Sequence, residues 1–146
     1  MQLMERVIRV IFLTMLLCGW VLAEDLDVRV NGSLWGRIES DGSLRVHGSL
    51  VGRFESDGAV RKAGSLTGQV ESDGTIRHHG NIIGQVEQDG TLRFHSNMVG
   101  RVESDGTIRR SGSMWGKAEG TCDFEKARRV AALIFFFDSG FVKLGR

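Results

Sequence analysis

The sequence has no proline, no tyrosine and only two cysteines in 146 residues. Two cysteines cannot staple a disulfide-dense mini-protein. It also lacks an excess of either charge, with 19 Lys+Arg against 18 Asp+Glu. Near-neutrality argues against an obligate nucleic-acid binder, which carries a basic excess. No P-loop, dinucleotide fingerprint or G-x-S-x-G motif occurs, so nothing points to nucleotide chemistry or a hydrolase elbow. What the chain has in quantity is glycine, 20 residues, about twice the usual share. Its length allows one domain or two very small ones.

Residues 1–23 read as a secretory signal peptide. Arg6 and Arg9 form a basic start, and Val10 to Leu17 is apolar except for Thr14. Val21-Leu22-Ala23 then gives the small-residue cleavage pattern before Glu24. The apolar stretch falls short of the roughly 20 residues of a comfortable span. A lipoprotein reading fails because Leu17 precedes Cys18. Cleavage near Ala23 predicts a secreted or periplasmic protein with no transmembrane span in the mature chain. It also leaves Cys122 as the one thiol and equal numbers of both charges.

The glycines are periodic. Asp-Gly recurs at 41–42, 57–58, 73–74, 89–90 and 105–106, a spacing of 16 without slippage. Gly36, Gly52, Gly68, Gly84, Gly100 and Gly116 fill another column. Such a strict period marks a repeat architecture. Each unit holds two short strands, Ser33–Glu39 and Ser43–His47 in the first. They are linked by E-S-D-G, which suits a three-residue loop with glycine at positive φ. That loop sets Ile38 against Leu44, Phe54 against Val60, Val70 against Ile76, Val86 against Leu92 and Val102 against Ile108. A two-residue loop would set apolar residues against charged ones.

Simple alternation from this register puts Leu34, Gly36 and Ile38 inside. It puts Arg37, Arg45, Glu39, Trp35 and Trp115 outside. The inner glycine column implies a close backbone approach, as at a crowded axis. Two architectures share the period: a closed ring of 16-residue β-hairpins and a β-solenoid. The solenoid would stack Glu39, Glu55, Glu71, Glu87 and Glu103 in one column of like charge, so the ring is preferred. The array opens with a lone strand, Asp27–Asn31, and closes with another, Ser113–Glu119. These should pair with Val28 facing Ala118, covering both sheet edges. Five or six petals are both open.

Asp123 is placed to N-cap a helix from Phe124. Ala127, Val130, Ala131 and Ile134 follow helical apolar spacing. Phe135-Phe136-Phe137 is too apolar for water and is expected to pack on one face of the ring. The expected fold class is therefore all-β with one C-terminal helix. It divides into a signal peptide (1–23), a repeat ring (24–120) and a helical, Phe-rich segment (121–146).

V-E-S-D-G-T-I-R at 70–77 and 102–109, Ser96-Asn97-Met98 before Val99-Gly100, and the Ala-rich helix running into Phe135–Phe137 resemble the five-fold β-flower proteins. These are small secreted proteins, mostly of Bacteroides-like bacteria. The resemblance spans about 25–138. It implies an extracytoplasmic all-β ring with a helix and supplies no catalytic residues. The chain departs from it in its Gly-Ser pairs, where the family has Asn-rich turns, and in Cys122.

The carboxylates recur equally in five units, whereas a catalytic pair needs one distinct environment. The turns also lack the ligand pattern of a calcium loop. His47, His79 and His95 share one column, with His78 one place earlier; Ala63 and Ser111 fill the same column, so they read as surface positions. Cys122 has no neighbouring His in sequence. Asn31-Gly32-Ser33 fits a glycosylation sequon but is better explained as a turn. No cofactor, catalytic residue or metal ligand is assigned. The candidate ligand-binding residues are Trp35 and Trp115, which share a column beside the closure and could stack on sugar rings. The alternative is that they cover the seam and the C-terminal phenylalanines. The expected function is a non-enzymatic binding module for a glycan or other repetitive ligand. The alternative is an envelope structural protein that self-associates through its apolar C-terminal segment.

Overall fold

The computed structural model describes residues 24–120 and 122–144; the signal-peptide reading of 1–23 lies outside the described residues. Six strand pairs follow one another: β1 (Leu26–Val30) and β2 (Ser33–Ile38), β3 (Ser43–Val46) and β4 (Ser49–Phe54), β5 (Ala59–Lys62) and β6 (Ser65–Val70). The series continues with β7 (Thr75–His78) and β8 (Asn81–Val86), β9 (Thr91–Phe94) and β10 (Asn97–Val102), and β11 (Thr107–Arg110) and β12 (Ser113–Ala118). Helix α1 (Phe124–Phe137) comes last. Each strand pairs antiparallel with its sequence neighbours, and β1 pairs with β12, giving one closed barrel. The solenoid is thereby excluded. Val28 faces Ala118 across the seam, as the register requires.

One rim is built from the five Asp-Gly loops, four reading E-S-D-G and one with Gln88 in place of the serine. Glu39 N donates to Ser43 O and Gly42 N donates to Glu39 O, closing a three-residue loop with Gly42 at φ 92°. Ser43 N donates to Asp41 Oδ1 at 2.9 Å, which is why aspartate is fixed there. The carbonyl of each loop glycine accepts from the next petal; Phe54 N donates to Gly42 O and Val70 N to Gly58 O. The termini complete a sixth petal. Glu119 N donates to Asp27 O, repeating the bond that Glu39 makes to Ser43. Six equivalent Arg–Glu pairs circle the wall, and Arg29–Glu119 carries the ring across the seam at 2.5 Å.

The opposite rim has two-residue turns. Both central residues have positive φ, as in His47 (51°) and Gly48 (81°), the geometry that matches strand twist. This second turn type changes the face assignment. The register shifts between Val28 and Arg29, so Gly36 faces Val28 while Leu34 faces Arg29, leaving Trp35 as the extra residue of a β-bulge. The same shift recurs in every hairpin of this type. It turns the Leu34 column outward and the Trp35 column inward, reversing the simple alternation. Leu34, Leu50, Leu66, Ile82, Met98 and Met114 are exposed, whereas Trp35 and Trp115 pack against the core.

Twelve strands enclose a lumen too wide for wall side chains alone to fill. Helix α1 fills it. Val130, Ala131, Ala132, Leu133 and Ile134 are all fully buried, which takes in every side of a helical turn. Leu133 stands against Gly36 of β2, Phe137 against Gly52 of β4, Phe136 against Gly68 of β6 and Phe135 against Gly84 of β8. The helix therefore packs on the ring from within, not against an outer face. The glycine column is where the wall thins to admit it. Asp123 caps the helix, accepting from Lys126 N at 2.9 Å. Arg128, nearly buried, donates to Glu71 O (2.8 Å), Val70 O (2.7 Å) and Glu125 Oε2 (2.6 Å). These bonds fix the helix start at the loop rim.

Candidate functional site

Helix α1 starts at the loop rim and ends partway along the lumen. The turn rim is left open over it. There the last inward position of each short strand is Val46, Lys62, His78, Phe94 or Arg110, each opposite an inner glycine or just below a turn. The chain after the helix folds back under this rim, with Phe141 and Val142 buried. The result is a vestibule of about 760 Å³ lined by Val46, Val51, Thr67, Phe135, Phe136, Phe137, Val142 and Leu144, with Lys62, His78 and Lys143 at its edge.

Two of the rim cations lie over aromatic rings. Lys62 Nζ is 5.9 Å from the Phe137 centroid, and Arg110 Cζ is 5.8 Å from that of Phe141. The His78 ring meets His79 in a tilted contact, 4.1 Å between centroids, and sits 6.0 Å from Phe136. Burial, then the neighbouring His79, lowers its pKa, which favours the neutral imidazole. The arrangement joins an apolar floor to a cationic edge, a combination suited to an apolar body bearing an anionic group.

Trp35 and Trp115 meet beside the seam. Their rings are edge-to-face at 5.2 Å, and Trp115 meets Phe141 edge-to-face at 5.4 Å. They are inward and half-buried, not outer-face platforms. They meet each other at the seam, with Trp115 packed on Phe141. Phe135 and Phe136, which only the alternative envelope reading made a self-association surface, lie inside the lumen.

The histidines do not converge. His47, His79 and His95 occupy the first position of separate turns and are exposed. No metal-ligand cluster occurs among the described residues. Cys122 lies at the other rim, its N–H donating to Ser104 O at 2.9 Å. Burial pushes its thiol pKa up, the reverse of an activated nucleophile. The Glu column is engaged in the Arg pairs of the wall, and the loop aspartates in their own turns.

Sequence reasoning missed the vestibule. Its signal was present in Lys62, His78 and Arg110, polar residues in a column otherwise filled by Val30, Val46 and Phe94. No family model, curated protein or solved structure matches the chain.

Proposed function

We propose that the protein is a secreted, non-enzymatic binding module that meets its ligand with the turn rim of the barrel. One observation carries this reading: the lumen is filled by the protein's own helix except at that rim, where an apolar vestibule opens beneath Lys62, His78 and Lys143. The rest of the wall consists of paired ions, hydrogen-bonded loops and a row of exposed apolar residues from Leu34 to Met114. The ligand class that fits is an amphiphile with an anionic head. Kinship with the β-flower proteins belongs to the same proposal; a closed hairpin ring with an Ala-Phe helix supports it, and the sixth petal is a departure from the five-fold form.

A glycan ligand is the second reading. The edge-to-face Trp35–Trp115 pair, half-buried at the seam, is the observation that favours it, because such rings can stack on sugar faces. Its residues would be Trp35 and Trp115 at the seam.

Calorimetry with a panel of long-chain carboxylates and phosphates, beside a glycan array, separates the two. Amphiphile binding that weakens about tenfold in Lys62→Gln supports the vestibule. A glycan signal lost in Trp35→Ala/Trp115→Ala supports the seam. Silence on both panels favours an assembly role. That role would use the exposed apolar residues of the outer wall, and it would appear as concentration-dependent light scattering.

A further inference from the structure

The turn rim is not the same all the way round. The bulge residue of each petal points inward, and in chain order that column reads Trp35, Val51, Thr67, Ile83, Val99 and Trp115. The two tryptophans meet at the seam, 5.2 Å between ring centroids, and Phe141 closes on Trp115 at 5.4 Å. Phe141 also stands against Gly100, so it fills the petal of Val99 as well. Ile83 is buried, and Phe94 on the neighbouring strand packs on Phe135 with 6.3 Å between centroids. Of the column, Val51 and Thr67 are the two that line the vestibule. The opening is therefore an arc over β4 and β6, walled by aromatic rings at both ends.

Its floor is closed. Phe135 and Phe136 are buried, and Leu133 and Ile134 behind them are fully so. The floor meets the wall where the wall has no side chain. A Cβ at Gly52 would meet Phe137 Cζ at 2.5 Å, and one at Gly68 would meet Phe136 Cζ at 2.3 Å. These contacts lie directly beneath Val51 and Thr67, the next residues back along each strand. At the edge, Lys62 lies over the Phe137 ring and Lys143 lines the same space. Neither lysine has a carboxylate partner among the described residues, whereas six wall arginines each hold a glutamate.

We propose that the vestibule selects its ligand by chain length: it takes an aliphatic acid whose anionic head meets Lys62 and Lys143, and Val51 and Thr67 set how much of the chain it buries. This rests on the reading of the vestibule as an amphiphile site, and it adds the shape of the amphiphile. Phe135, Phe136, Phe137 and Val51 present no polar side-chain group. A sugar or peptide laid on them would bury hydroxyls or amides without partners, which is costly, whereas a hydrocarbon chain leaves nothing unsatisfied. The closed floor and the aromatic ends of the arc limit the chain. Each methylene buried within the arc raises affinity about fourfold. A methylene beyond it stays in water and adds nothing. The repeat also shows what would shorten the arc, because Trp35 and Trp115 fill the same column where the rim is closed.

The test is titration calorimetry of the chain from Glu24 onward, which contains every strand, the helix and the seam. The probes are straight-chain carboxylates and alkyl phosphates of increasing length, each below its aggregation concentration. Affinity should rise about fourfold per methylene and then stop rising, at a length set by the chain and not by the head. Thr67→Trp should move that break to shorter chains and Phe137→Leu to longer ones, while Lys62→Gln weakens every length alike. Val51→Trp repeats the shortening at the neighbouring petal, and a melting curve checks the fold of each variant. A rise without a break in the parent overturns the proposal, and no variant is needed to see it. A break that follows the head overturns it too, as does one that both tryptophan variants leave in place. Binding that Lys62→Gln weakens but that ignores chain length sinks this proposal while leaving the vestibule reading intact. No binding by either series overturns both.

Discussion

At the scale of single residues, the repeat makes its own control experiments. The second turn position is glycine at 32, 48, 64, 80 and 112, but Ser96 holds it at φ 69°. A Cβ on the equivalent glycines Gly48, Gly64, Gly80 and Gly112 would touch nothing, so the conflict at Ser96 is conformational and not steric crowding. Ser96→Gly should raise stability by about 1 kcal/mol in denaturant titration, the usual cost of a left-handed non-glycine residue. The loop aspartates give a pH signature. Asp41, Asp73, Asp89 and Asp105 have lowered pKa values, first because the backbone N–H two residues on donates to each, and second because the Ser or Thr hydroxyl there does so. A depressed carboxylate contributes stability that is complete above its unfolded value, about 3.9, and is lost as pH falls through the folded value. The denaturation midpoint should hold steady from pH 7 to about 5 and decline below about 4. Asp73→Asn should make that decline shallower; an unchanged acid limb would show that these turns do not govern it.

At the scale of elements, the bulge was legible and went unread. The three-residue loop fixes Gly36 and Ile38 as inward. The two-residue turn, taken alone, would set Val28 opposite Trp35 and make Trp35 inward. Both cannot hold in one regular strand, so each 16-residue unit must contain a one-residue slip. Reading only one of the two turns put Leu34 inside and Trp35 outside. The helix also announced its place: 130–137 is apolar on every side, the pattern of a helix buried all round. Ala127, Val130, Ala131 and Ile134 are one stripe of that buried surface, which Ala132, Leu133 and Phe135 carry round the other sides. The glycine column shows how closely helix and wall meet. A Cβ at Gly36 would meet Leu133 Cδ2 at 2.9 Å, the flexible end of a side chain. At Gly68 it would strike both the Phe136 ring and the Arg77 carbonyl. Gly68→Ala should therefore cost about 3 kcal/mol or more and Gly36→Ala distinctly less, as read by thermal unfolding. Equal losses would mean that the helix does not press on the wall unequally.

At the scale of the whole molecule, closure and filling depend on each other. The seam between β1 and β12 rests on a short register, Val28 to Ala118 and Arg29 to Lys117, reinforced by Arg29–Glu119 and the Trp35–Trp115 contact. The barrel has few wall side chains long enough to reach its axis, because its inner positions are mostly Gly, Val, Leu and Ile, with larger residues such as Phe54, Phe94, Trp35 and Trp115 the exceptions. A chain ending at Cys122 would leave the lumen empty, a void far larger than any point substitution creates. Such a chain is expected to lose its cooperative melting transition and bind a hydrophobic dye, whereas a sharp transition would show that the ring stands without its helix.

The sequence by itself determined the local structure: strand lengths, the three-residue Asp-Gly loops, the pairing of Ile38 with Leu44 and its equivalents, and the partnership of Val28 with Ala118. Each follows from contacts between residues a few positions apart or from the strict period. Tertiary structure alone decided that the ring holds six petals, that the termini supply the sixth, and that the helix runs through the lumen. Those outcomes depend on how strand twist and bulges add up around the circle, and on whether the enclosed space matches a helix. No single repeat contains that information, because curvature is a property of the sum. The vestibule belongs to the same class: Lys62, His78 and Lys143 come together only because the helix ends short of the turn rim.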